Sequence, residues 1–262
     1  MTQDALQIDI RDAVATIRLN RPDVHNAFDD VLIATLTAEL RRIDLLPQVR
    51  VIVLAANGKS FSAGADLNWM RRMATYSREE NLRDALALAA LMRTLDGMTK
   101  PTVARVHGAA FGGGVGLVAC CDIAIAGSAA VFSLSEVRLG LIPAVISPYV
   151  IAAIGEREAR RYFLTAERFG AMEARRIGLV HEVVEDRALD EAVARFAGYL
   201  LQGGPQALAA AKKLIADLSR RPMSDALADE IAQRIAAIRV EREGQEGLAA
   251  FVDKRGPDWT VS

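Results

Sequence analysis

The chain has 262 residues, 52% of them hydrophobic and 25% charged, and its formal net charge is −1. This is the balance of a soluble globular chain long enough to bury a sizeable core. It argues against a dedicated nucleic-acid binder, which needs a basic surface, and no apolar run approaches the roughly 18 residues of a membrane span.

Residues 6–10 alternate weakly, Arg11 and Asp12 turn the chain, and residues 14–19 alternate again, which predicts a hairpin. The loop NRPDVHNAF (20–28) follows. Asp29 then stands where it can cap a helix over 30–45, with an apolar face of Leu32, Ile33, Leu36, Leu40 and Ile43, ended by Pro47. Residues 49–55 are nearly all apolar, as in a strand buried on both faces, and Asn57-Gly58 turns the chain. In SFSAGADLNWM (60–70), Ser62, Ala63, Gly64 and Ala65 are all small, so a ligand or another backbone can come close. Asp66 is placed to cap a short helix through Met70. The bland alternative is a plain strand-to-helix turn, with Arg71 and Arg72 on a solvated face. An amphipathic helix over 78–98 and a strand over 101–106 lead to the most informative stretch.

That stretch, 107–143, reads HGAAFGGGVGLVACCDIAIAGSAAVFSLSEVRLGLIP. Gly112, Gly113, Gly114 and Gly116 fall where a strand gives way to a helix over 115–121. Glycine serves positive φ and close approach, and a helix N-terminus offers unpaired N–H groups to an anion or a developing oxyanion. Glu136 is embedded in an apolar run, where a carboxylate can have a raised pKa and act as acid or base. Its alternative role is helix capping with Ser133 or Ser135. Two small-residue turns that each offer an N–H to one oxygen would suit an acyl carbonyl that gains charge as an enolate forms.

Other chemistries fit less well. His25, His107 and His181 lack ligand spacing, and a packing or loop role is expected for them. The adjacent Cys120 and Cys121 make no structural zinc site and are expected as reduced, packed thiols. There is no G-x-S-x-G elbow and no Gly-Lys-Ser/Thr after the glycines. Gly114-x-Gly116-x-x-Ala119 fits a dinucleotide pattern, but HGAAF separates it from its strand and Glu136 does not end a second strand.

Short strands are expected over 122–126 and 130–132, helices over 147–154 and 156–165, and a strand over 178–184. Beyond 186 the pattern is helical to about residue 252, with breaks at Gly203-Gly204-Pro205 and Arg221-Pro222. This predicts one α/β domain with a helical appendix, divided as a core over 1–190 and a helical region over 191–262. No repeat of fixed period stands out. The first residues lack a basic region followed by an apolar one, so no signal peptide and a cytoplasmic location are expected.

SFSAGADLNWM, HGAAFGGGVGLVACCDIAIA and FSLSEVRLGLIP together resemble the enoyl-CoA hydratase/isomerase, or crotonase, superfamily. NRPDVHNAF and GQEGLAAFVDKRGPDW extend the likeness over nearly the whole chain. The resemblance implies a spiral of ββα turns with a C-terminal helical trimerisation region, and a homotrimer or hexamer. It implies an oxyanion hole from the N–H groups of Ala65 and Gly113, with Glu136 as the acid/base. Val24, Ala63, Asp66, Leu67 and Gly112 would bind substrate or CoA, and Phe251 and Lys254 would reach the CoA of an adjoining subunit. The pocket wall would include Trp69, Met70, Ile142 and Tyr149. No metal or separate cofactor is implied, because CoA arrives with the substrate.

One departure stands out. Two-glutamate hydratases carry a glutamate two residues after the GGG run, and here that position is Gly116. Residues 135–169 resemble bacterial methylglutaconyl-CoA and isohexenylglutaconyl-CoA hydratases, a subgroup that shares this glycine. Their substrates carry a free carboxylate, for which Arg138 or Arg71 is the candidate partner. An enoyl-CoA isomerase or an acyl-CoA decarboxylase would use the same site with one glutamate. A non-enzymatic RNA-binding role also occurs in the superfamily.

Overall fold

The computed structural model describes residues 4–219 and 221–260. β1 (Leu6–Arg11) and β2 (Val14–Leu19) form the expected antiparallel hairpin, Leu6 opposite Leu19. From β2 onward the main sheet is parallel. Its order is β1-β2-β3-β4-β6-β9, with β3 at Val51–Ala56, β4 at Thr102–Val106, β6 at Ile123–Gly127 and β9 at Glu182–Val184.

Every residue of β3 is buried, and its side chains alternate between two cores as the pleat requires. Ile52 and Leu54 pack with α1 (Asp30–Asp44), α3 (Arg78–Asp96) and α4 (Gly113–Cys120). Val51 and Val53 pack with Leu189, Ala192, Val193 and Ala197 of α7 (Leu189–Gln202). So α7, which reads as the start of a helical appendix, covers the second face of the sheet. Helix starts follow local chemistry. Asp29 Oδ1 accepts the Leu32 N–H at 2.8 Å, and Ser77 and Glu80 form a reciprocal capping box at α3.

A second sheet, β5-β7-β8, is built from Ala109–Phe111, Val131–Ser133 and Phe169–Gly170. Here the structure departs from expectation, because the AAF of HGAAF is itself a strand. Three residues are too few to show a period. The pairing that makes them a strand, Ala110 with Phe132 and with Ser62, comes from distant chain. β8 and α6 (Ala171–Arg176) are also short and lie outside the elements the sequence predicts. α5 (Ser147–Thr165) joins the two predicted helices across a break at Gly155 (φ 74°, ψ 161°).

α8 (Pro205–Leu218), α9 (Asp225–Val240) and α10 (Arg242–Val252) bury little: no residue of α8, Leu227 of α9 and Ala250 of α10. Polar contacts hold them. Lys212 pairs with Asp122 at 2.6 Å, and Glu243 accepts the Gln206 and Ala207 N–H groups at the start of α8. Ile215, Met223, Val240, Phe251 and Val252 are each more than two-thirds exposed. Among the described residues, no helix is long and apolar enough to cross a membrane.

Candidate active site

Residues 62–66 run between the 25–28 loop and β5. On one side the Ala63 N–H donates to His25 O (2.9 Å), the Phe28 N–H to Gly64 O (2.6 Å) and the Asp66 N–H to Phe28 O (2.8 Å). On the other, the Ser62 N–H donates to Ala109 O (3.0 Å) and the Phe111 N–H to Ser62 O (2.9 Å). A trans peptide points its C=O and N–H in opposite directions. Because Gly64 O faces Phe28, the Ala65 N–H faces away from it, toward the β5 side. There β5 has ended, for Gly112 (φ 50°, ψ −117°) turns the chain into α4.

The same argument orients the second amide. Gly112 O accepts the Val115 and Gly116 N–H groups inside α4, so the Gly113 N–H points out of the helix start. Among the described residues, neither the Ala65 nor the Gly113 N–H donates to a protein acceptor. The glycines before them stand close together: a Cβ on Gly112 would lie 4.0 Å from Gly64 Cα, and one on Gly64 (φ 90°) 3.2 Å from Phe111 O. Positive φ and close approach both require glycine at these two positions. Two unpaired amides thus stand beside one another at the junction of two turns, the arrangement that stabilises an oxyanion.

Glu136 begins a 3-10 turn (Glu136–Leu139) just after β7. Its Oε1 lies 3.1 Å from where a Gly112 Cβ would be, so the carboxylate leans on the Gly112 turn. Its Oε2 is buried without a hydrogen-bond partner. Burial is the chief cause that pushes the Glu136 carboxyl above its ordinary value. The capping alternative finds no support here, since Ser135 makes no side-chain cap bond and Ser133 Oγ donates to Ala166 O instead.

Asp66 is 5% exposed and caps α2 (Leu67–Met73), accepting the Asn68 and Trp69 N–H groups at 2.8 and 3.3 Å. Burial alone would raise its carboxyl, but those amides and Arg21 outweigh it and hold the group below its ordinary value. Leu67 (69% exposed) and Val24 (39%) edge the same turns, and Ala63 is half-buried. Arg138 is exposed two residues from Glu136 and, among the described residues, has no ion-pair partner. Arg71 is exposed on α2 and donates to Asn68 Oδ1 at 2.9 Å. Phe251 and Lys254 are exposed at the end of α10.

Of the expected wall, Trp69 is buried and donates to Asp84 Oδ2 at 3.0 Å. Met70 and Tyr149 are half-buried, and Ile142 is exposed. His25 bonds Ser60 Oγ, His107 bonds Gly58 O and His181 accepts the Ala124 N–H. Both cysteines are buried free thiols whose pKa burial raises, that of Cys121 to about 12.

Two residues matter more than the sequence alone indicated. Arg21 donates to Ala27 O (2.6 Å) and pairs with Asp29 (2.8 Å) and Asp66 (3.0 Å), tying the caps of α1 and α2 together. Its two acidic partners, both legible as caps, were the available signal. Ile146 closes the space over Gly116: a Cβ there would lie 2.3 Å from Ile146 Cγ2. The position that two-glutamate hydratases give to a carboxylate is therefore filled by a buried hydrocarbon. No signal in the chain order links residues thirty apart in this way.

The chain is similar to known proteins over nearly its whole length. The family described as "Enoyl-CoA hydratase/isomerase" matches residues 9–262. An enoyl-CoA hydratase from Shewanella pealeana superposes with a TM-score of 0.95 at 49% identity, over 98% of this chain and 97% of that one. The 2,3-dehydroadipyl-CoA hydratase of Escherichia coli is 32% identical over 94% of both chains. The crotonyl-CoA hydratase of Syntrophomonas wolfei is 30% identical over 97% of both.

Proposed function

This chain belongs to the enoyl-CoA hydratase/isomerase family and has its crotonase-type α/β fold, and from that premise we propose that it hydrates the 2,3 double bond of a branched, carboxylated enoyl-CoA such as 3-methylglutaconyl-CoA. The observation that carries the chemistry is the pair of unpaired amides, Ala65 and Gly113, beside the Glu136 carboxylate, whose Oε2 is buried without a hydrogen-bond partner. The thioester oxygen sits between the two N–H groups. Ionised Glu136 takes a proton from water as the hydroxyl oxygen bonds to C3. The double-bond electrons move toward the thioester, and the enolate oxygen is held by the amides. Glu136 then returns the proton to C2. One water is consumed and Glu136 ends as it began. Backbone dipoles supply the electrophile, so the proposed reaction asks for no cofactor beyond the CoA that the substrate carries.

The carboxylated substrate is supported by Arg138, an exposed guanidinium two residues from Glu136 with no ion-pair partner among the described residues. A relative named for an adipyl substrate, which ends in a carboxylate by its chemistry, fits the same class. The apolar side chains exposed on α8 to α10 support a homotrimer or hexamer, in which Phe251 and Lys254 would reach the CoA of an adjoining subunit. Two buried free thiols suit a cytoplasmic setting.

A second reading, proton shuttling by an enoyl-CoA isomerase, is favoured by the hydrocarbon over Gly116, since isomerisation needs one carboxylate. Turnover of 3-methylglutaconyl-CoA, crotonyl-CoA and a 3-enoyl-CoA separates the two. Hydration of the first substrate in preference to the second is expected. Isomerisation of the third without hydration of either would overturn the hydratase reading.

A further inference from the structure

The two donor amides belong to separate turns, more than forty residues apart, and something must fix their spacing. One residue touches both. The Phe28 N–H donates to Gly64 O at 2.6 Å and Phe28 O accepts the Asp66 N–H at 2.8 Å, so its backbone grips the peptides on either side of Ala65. Its ring lies against the other donor: a Cβ on Gly113 would meet Phe28 Cε2 at 2.4 Å and Cδ2 at 2.7 Å. Phe28 is 1% exposed. Arg21 stiffens the clamp from behind, donating to Ala27 O and pairing with Asp29 and Asp66 on either side of it.

We infer that Phe28 is a positioning residue of the oxyanion hole, its backbone setting the direction of the Ala65 amide and its ring setting the distance at which the Gly113 amide stands. The inference rests on the oxyanion-hole reading above. Two hydrogen bonds fix the Ala65 peptide as long as the backbone of residue 28 is in place, whatever its side chain. The ring is the adjustable part. Gly113 has no Cβ, so the α4 start can settle against the Cδ2–Cε2 edge of the ring and stops where that edge stops it. A smaller side chain leaves the helix start free to drift toward the loop. An oxyanion bound between both amides senses that drift, whereas the rest of the acyl-CoA does not. A displacement too small to unfold the protein therefore lowers the transition-state contribution without lowering ground-state binding.

The test uses Phe28→Leu, which keeps an apolar filler, and Phe28→Ala, with thermal melts to establish that each is folded. Three quantities are read: kcat, KM, and the ratio of affinities for a 3-ketoacyl-CoA, which enolises, over the saturated acyl-CoA of equal length, which does not. Wild type is expected to prefer the enolising ligand. Phe28→Leu is expected to lose about tenfold of that preference and about 10- to 100-fold in kcat, with KM and saturated-ligand affinity within about threefold. A purely structural role would weaken both ligands alike and lower the melting temperature, with kcat per folded molecule unchanged. That result, or an unchanged preference in folded Phe28→Leu, overturns the inference. Absence of the preference in wild type would instead overturn the oxyanion-hole reading beneath it. Should Phe28→Ala fail to fold, Phe28→Leu decides alone.

Discussion

Substitution at Gly116 gives the sharpest energetic prediction, because the structure states what an added atom would meet. In Gly116→Ala the new Cβ would lie 2.3 Å from Ile146 Cγ2, 3.0 Å from Ile146 Cβ and 3.2 Å from Met92 Cε. Met92 is a flexible end that can yield. Ile146 is 3% exposed and β-branched, so its Cγ2 cannot swing aside without leaving its rotamer. Overpacking of this kind costs about 1–3 kcal/mol, and replacing a mid-helix glycine by alanine returns up to about 1 kcal/mol. The expected net loss is about 0–3 kcal/mol. Ile146→Ala alone leaves a cavity and should cost about 2–5 kcal/mol. In the double variant the new Cβ enters the space vacated by Cγ2, so the losses should not add. A favourable coupling of about 1–3 kcal/mol is expected. Urea denaturation of the four proteins, compared by midpoint at constant slope, measures it. Additivity within about 0.5 kcal/mol would refute the close packing of Gly116 on Ile146. The functional corollary is that Gly116→Glu alone, with its carboxylate forced against hydrocarbon, should not speed hydration of crotonyl-CoA.

The remaining predictions concern the site itself. Glu136→Gln should raise the melting temperature at neutral pH by a few degrees, because a carboxylate whose Oε2 is buried without a partner is removed. The sign follows from the raised pKa. Between its unfolded and folded values the native state binds more protons, so stability falls as pH rises through that window; the Gln variant should lose this dependence. If ionised Glu136 is the base, the acid limb of kcat/KM should lie above the ordinary glutamate value and activity should fall as pH drops through it; a limb at the ordinary value contradicts the burial argument. Gly64→Ala, at φ 90° and 3.2 Å from Phe111 O, should lower kcat about 100-fold by displacing the Ala65 amide, and a normal kcat would mean that this amide is not a donor. Arg138→Ala should raise KM at least several-fold for 3-methylglutaconyl-CoA and not for crotonyl-CoA; an equal effect on both removes Arg138 as the carboxylate partner.

What the sequence disclosed was chiefly local. The caps at Asp29 and Asp66, the buried strand around Ile52 and Leu54 and the glycine turn before α4 each declare themselves within a few residues. The placement of β5 was hidden, because Ala109–Phe111 becomes a strand only through Ser62 and Phe132. The covering of the second sheet face by α7 was hidden too, since an amphipathic helix does not say which face it meets. Within the site, the two turns were visible as small-residue runs, but their contact through Gly64 and Gly112 was not. Ile146 and Phe28 look in sequence like ordinary apolar residues. Their significance is entirely in what they press against, and for both that is a glycine far away in the chain.

The central claim is that one carboxylate, Glu136, moves the proton while two amides hold the enolate oxygen. The most direct measurement is hydration of an enoyl-CoA by Glu136→Gln under conditions where the protein is folded and saturated, followed by the loss of enoyl thioester absorbance. The account predicts a kcat lower by several orders of magnitude, with substrate affinity within a few-fold of wild type. Turnover within about tenfold of wild type would contradict it and would mean that another group performs the proton transfer.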